Sequence, residues 1–182
     1  MHSDIDVGPA DTGVRTATSS STHVVVAVVR VLFALLWLQN VLWKIPPDFG
    51  ANRREGLWEW VHKAVEYPVF PPYSFIAEQV ILPALPLFGW LVILIEGGLG
   101  VFLLIGFATR FWAVVAILQT CVIMLSVLNA PGEWPWSYYL MAMTAAMLWA
   151  TAAGRSFGLD AILRPRMAHS SSRFARLYRW IS

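Results

Sequence analysis

Glu96 sits near the middle of an apolar run, FGWLVILIEGGLGVFLLIG, that contains no other charged residue. A carboxyl in such a run is costly to bury in lipid, so it must face protein or water. Two roles fit it: a protonatable site that hydrogen-bonds a quinone or relays a proton, or a structural group that locks two helices. Gly97, Gly98 and Gly100 follow it and would let a neighbouring backbone approach closely, which serves either role. Arg30, inside another apolar run, is the natural partner for Glu96, although its long side chain could instead snorkel to the interface. Gln39 follows Arg30 by nine residues, and Gln119 follows Arg110 by nine. That spacing hints at a duplicated hairpin. It also marks both glutamines as groups able to line a bundle interior, with plain interhelical hydrogen bonds as the alternative.

Outside the apolar runs the chemistry is sparser. Glu59 and His62 have the Glu-x-x-His spacing of carboxylate-bridged di-metal bundles, but no second copy exists. A solvated helix face is expected there, and no metal. The four apolar runs contain no histidine, which disfavours haem. Glycine-rich nucleotide loops and nucleophile elbows are absent. Lys44, Arg53, Arg54 and Lys63 could meet an anionic substrate at a surface, yet nearby carboxylates equal them in number, the pattern of a solvated loop. The single cysteine, Cys121, excludes intramolecular disulfides and a CxxC relay. The candidate site is thus Glu96 for proton or quinone handling, with Arg30, Gln39, Lys44 and Gln119 for substrate binding.

The elements that must position these groups follow from composition. Of 182 residues 58% are apolar, with 10 Trp and 10 Phe, 13 Lys and Arg, and 11 Asp and Glu. Four stretches, about 24–43, 87–106, 111–129 and 137–154, hold only two of those charges, Arg30 and Glu96. Each is close to the roughly 20 residues that a helix needs to cross a bilayer, and none alternates as a barrel strand would. The expected fold is all-α, a polytopic four-helix up-down membrane bundle spanning residues 24–161. Residues 1–23, polar and poor in core formers, are expected to be a disordered tail, with no signal peptide before the first span. In the 44–86 connection, Leu57, Val61 and Ala64 recur at helical spacing opposite Glu55, Glu59, His62 and Glu66, predicting an interfacial amphipathic helix on the outer rim of the bundle. The tail 162–182 ends in RFARLYRWIS, where Phe174, Leu177 and Ile181 share a face. Beside a span, this basic segment suits an anionic leaflet and not nucleic acid. With four spans, eight basic residues fall on the side of both termini and four on the other. The positive-inside rule then places the termini in the cytoplasm of a cell-membrane protein. Trp43, Trp58, Trp60, Trp134, Trp136, Tyr138 and Tyr139 would form the outer aromatic belt.

Taken together, Arg30, the Trp43-Lys44 ending of the first span, Glu96 with GGLGVFLLIGFATR after it, and GRSFGLD near the end of the fourth run resemble the DoxX/DoxD membrane family over about residues 24–165. The resemblance implies family-like roles for Arg30, Lys44, Glu96, Arg110 and Asp160. It also implies a membrane subunit of a quinone-linked redox complex, as in the DoxD subunit of a thiosulfate:quinone oxidoreductase, working with a partner protein and a quinone but no covalently bound cofactor. A non-catalytic scaffold or assembly factor and a small transporter are the alternatives. The chain supplies no electron carrier of its own, so intrinsic catalysis stays open.

Overall fold

The computed structural model describes residues 20–168 and 170–182. The expected disordered tail lies outside the described residues except for its last four, which belong to the first helix. Every regular element among the described residues is helical: α1 (Ser20–Val41), α2 (Leu57–Glu66), α3 (Pro71–Ile76), α4 (Leu85–Ile105), α5 (Thr109–Val127), α6 (Pro135–Ala150), α7 (Leu159–Ala168) and α8 (Arg173–Ile181). A π-helical turn, Ala77–Ile81, extends α3, and a 3-10 turn, Ala153–Arg155, follows α6.

Helices α1, α4 and α5 are long and apolar enough to cross a membrane. The expected fourth span is shorter than its apolar run. Helix α6 has 16 residues, about 24 Å at the helical rise against a hydrocarbon core of about 30 Å. It stops at Ala150 because Ala152 adopts a left-handed conformation (φ 47°) and the chain tightens into the 3-10 turn. The membrane character therefore rests on three candidate spans, with α6 packed beside them.

Helix α1 packs along α4, and α5 along α6 with a lighter contact to α4. Phe33, Ala34 and Trp37 meet Leu99, Leu103, Ala113 and Ala116 in the core. Apolar side chains gain nothing from leaving lipid, so close contact between small residues must hold such helices together. Gly100 shows how close: a Cβ there would lie 2.4 Å from the Leu38 side chain. The α4–α5 turn is a Schellman closure, with Gly106 left-handed (φ 68°), its N–H donating to Leu103 O and that of Phe107 to Phe102 O.

The 44–86 connection packs onto this frame. Phe49 is fully buried with Leu57 and Leu85, and its ring lies so near Gly89 that an added Cβ would be 2.4 Å away. Helix α2 lies against α5 and the π turn, and Leu57 and Ala64 are buried. Its apolar side, expected to lie in the lipid interface, is thus covered largely by protein. The expected aromatic belt divides likewise: Trp134, Trp136 and Tyr139 are exposed, while Tyr138 is buried and Trp43 packs on Trp60 with centroids 5.6 Å apart and the rings tilted by 48°.

Candidate functional site

The site begins where α1 breaks. Asn40, one residue before the end of α1, donates from Nδ2 to Glu96 Oε2 at 3.1 Å, and Glu96 lies eleven residues into α4, about 16 Å along its axis. Helix α1 therefore ends beside the middle of α4, and its path continues as irregular chain. Non-helical backbone at that depth is tolerated where it is buried in protein, and Lys44 is buried here.

Lys44, expected on a surface loop, is 1% exposed and meets Glu96 Oε2 at 2.5 Å. The turn after Val41 folds its side chain back along the helix it has just left, and Nζ also donates to Asn40 O at 2.8 Å. A cation at a helix C-terminus satisfies an orphan carbonyl and complements the helix dipole. The other Glu96 oxygen, Oε1, accepts from Gln119 Nε2 at 3.1 Å, and Trp43 Nε1 holds Asn40 Oδ1 at 2.8 Å, fixing the amide orientation. Donors from three segments thus converge on one carboxylate, the pairing a buried charge requires.

Above this cluster opens a cavity of about 730 Å³ with mostly apolar walls, within the range of small-molecule sites. Lys44, Glu96, Gln119, Asn40 and Gln39 contribute to its lining, with Gln39 at an exposed edge. Trp37, Trp43, Trp60, Tyr73 and Tyr138 supply aromatic wall. The rim is tied by Tyr73 to Ser126 (2.8 Å), by Tyr138 donating to Glu133 (2.6 Å), and by Lys63 pairing with Glu133 (3.2 Å). Among the described residues no group of three or more His, Cys, Asp and Glu could hold a metal ion. Glu59 is exposed, and His62 stacks on Trp58 at 4.5 Å.

The expected pairing of Arg30 with Glu96 does not occur. Arg30 is buried at the other end of the bundle, where Nη1 donates to Ala153 O (3.0 Å) and Ser156 O (3.2 Å) and Nη2 to Phe157 O (3.4 Å). It thus satisfies the carbonyls left by the irregular end of α6. A Cβ on Gly158 would fall 2.4 Å from Arg30 Nη1, so GRSFGLD needs glycine there. Asp160 is fully buried and accepts from Ala108 N (2.8 Å) and Thr109 N (2.9 Å), capping α5 from a distance, and from Tyr178 OH (2.6 Å). Burial, then the bond to Asp160, pushes the Tyr178 phenol upward. Arg110 donates to Trp149 O (3.3 Å) at the surface, and His23, just outside the expected first run, lies within α1 beside Ser156 Oγ (2.9 Å). Of the residues singled out in the sequence, Glu96, Lys44, Gln119 and Gln39 come together at the cavity. Asp160 clamps the start of α5, Arg30 ties down the chain after α6, and Arg110 borders the α4–α5 turn.

Sequence reasoning missed Asn40 and Trp37, and assigned Trp43 to the outer aromatic belt and the family-like ending of the first span instead of the site. The available signal was spacing: Phe33, Trp37, Asn40 and Lys44 recur at intervals of four, three and four, one helical stripe running past the helix end. No curated protein and no solved structure matches the chain. The family described as TQO small subunit DoxD matches residues 68–178, which include Glu96, Gln119, Arg110 and Asp160 and exclude Arg30, Asn40 and Lys44. The match covers well over half of the sequence, and the chain belongs to the DoxD family.

Proposed function

We propose that this protein is the membrane subunit of a thiosulfate:quinone oxidoreductase-like complex, and that the cavity over Glu96 and Lys44 receives the quinone head group. One observation carries the reading: in a DoxD-family membrane protein, a buried carboxylate–ammonium pair forms the polar floor of an otherwise apolar, aromatic-walled cavity. A quinone ring is planar and apolar, with a carbonyl oxygen at each end. Aromatic walls suit its faces, and donors such as Lys44, Asn40 and Gln119 suit its oxygens. Reduction adds two electrons, which leave two thiosulfate ions as they join into tetrathionate, and two protons; Glu96 with Lys44 would pass one proton to the oxygen beside them, and the second would come from water. Electrons come from a sulfur compound through a partner subunit, in keeping with the family's description as a small subunit.

The test is quinone reduction by thiosulfate in the gently solubilised complex, with Glu96→Gln compared against wild type. Gln keeps the shape and much of the hydrogen bonding but cannot exchange a proton. The reading expects a lowered melting midpoint, since Lys44 loses its charge partner, and at least a tenfold loss of turnover per assembled complex. Full turnover per assembled complex would leave a scaffold as the better account.

With α6 crossing as a short fourth span, the positive-inside rule would put both termini in the cytoplasm of a cell-membrane protein and α8 against anionic lipid. Labelling of a Ser171→Cys, Cys121→Ala variant from outside intact cells would overturn that orientation, Ser171 being exposed.

A further inference from the structure

The cavity does not end inside the protein. Beyond the Glu96–Gln119 hydrogen bond, both α4 and α5 line it as far as Phe88 and Val127. Two of the lining residues, Leu91 and Val122, are also 49% and 43% exposed. Leu91 precedes Glu96 by five residues and Val122 follows Gln119 by three, so on antiparallel helices both lie on the same side of that bond, about 7 and 5 Å along their axes. Their neighbours Leu94 and Leu118 are 69% and 61% exposed. Exposed leucines at this position in candidate spans face hydrocarbon. The cavity wall and the lipid-facing surface therefore share residues between α4 and α5, as they also do at Leu36 of α1, which lines the cavity and is 61% exposed.

A second feature concerns what the cavity holds. Trp37 is 1% exposed and lines the cavity, and its indole N–H has no hydrogen-bond partner among the described residues. Trp donates only, and leaving a buried donor unpaired is costly. An acceptor oxygen on a ligand would satisfy it.

From these observations we propose that the cavity loads sideways from the bilayer through the gap bounded by Leu91 and Val122. Its ligand is a lipid-soluble molecule whose acceptor head reaches Trp37 while its hydrocarbon tail crosses that gap. The ligand class rests on the quinone reading above; the lateral opening does not.

Two measurements separate them. The first uses nitroxide labels at Leu91→Cys and Val122→Cys, each in a Cys121→Ala background in nanodiscs. Greater relaxation by oxygen than by a water-soluble nickel chelate is expected at both sites, and the reverse overturns the lateral opening whatever the ligand. The second follows quenching of tryptophan fluorescence by decyl-ubiquinone and by its tail-less parent, 2,3-dimethoxy-5-methylbenzoquinone. Leu91→Phe with Val122→Phe should weaken decyl-ubiquinone at least tenfold and leave the tail-less quinone unchanged, whereas Trp37→Phe should weaken both by about fivefold. Leu94→Phe, on an exposed position away from the cavity lining, should change neither. Loss of decyl-ubiquinone binding in Leu36→Phe, with none in the Leu91 and Val122 double variant, would place the tail elsewhere and overturn the gap. Wild-type protein that binds neither quinone would refute the ligand class and the quinone reading together, with the label data still deciding the opening.

Discussion

Removing Lys44 while keeping Glu96 probes the central interaction of the site. The two side chains are 1% and 2% exposed, so solvent screening offers little relief and the small energies of surface pairs do not apply. Lys44→Met fills similar space but leaves the carboxylate with only the amide donors of Asn40 and Gln119. Breaking one side of a buried pair costs about 3–5 kcal/mol, because an uncompensated charge remains. Glu96→Gln leaves the ammonium with Asn40 O, again unmatched in charge. The double variant removes both charges, and replacing a buried pair by neutral groups is often nearly neutral. Its cost should therefore fall below the sum of the single costs by at least about 3 kcal/mol. Denaturant unfolding of the four proteins in one detergent, followed by far-ultraviolet circular dichroism, closes the cycle. Additive costs, or a Lys44→Met cost below about 1 kcal/mol, would refute the claim that the pair is a coupled buried unit.

Two further outcomes follow from particular contacts. Gly100→Ala should destabilise by about 1–3 kcal/mol, the usual effect of overpacking, since its Cβ would meet Leu38 at 2.4 Å; Gly97→Ala meets nothing within 4 Å and should change the midpoint little. Tyr178→Phe removes the bond to buried Asp160, about 1.5–3 kcal/mol for a charged acceptor, and should speed tryptic cleavage in α8. The phenol is raised in the folded state, so its stabilisation is complete below the ordinary tyrosine value of about 10 and fades as pH rises beyond it. Wild type should lose stability faster than Tyr178→Phe above that pH, and equal slopes would contradict the assignment.

How much of this was readable in the chain depends on which physical force placed each residue. Helices α1, α4 and α5 follow from apolar length alone, and their bounds fall within four residues of the expected ones. The burden on Glu96 was equally legible, because a lone carboxyl among leucines must find donors, and Gln119 was one of them. Its cation was misassigned, since hydropathy treats a lysine just past an apolar run as the end of the membrane. Lys44 instead turns back because α1 stops beside the middle of α4, a register set by the contact of Gly100 with Leu38 and by the fit of Phe49 against Gly89. Those are contacts between distant segments, which no local window contains. Arg30 was drawn away from Glu96 by a similar cause: the irregular chain after α6 leaves the carbonyls of Ala153, Ser156 and Phe157 in need of a donor. In both places the polar side chain follows a broken helix end. A helix that stops inside the bundle exposes backbone acceptors where water is scarce, and the nearest buried cation must answer them. The two intramembrane cations are thus divided between two helix ends, and only the one at the end of α1 lies beside a carboxylate in a cavity wide enough to admit a ligand.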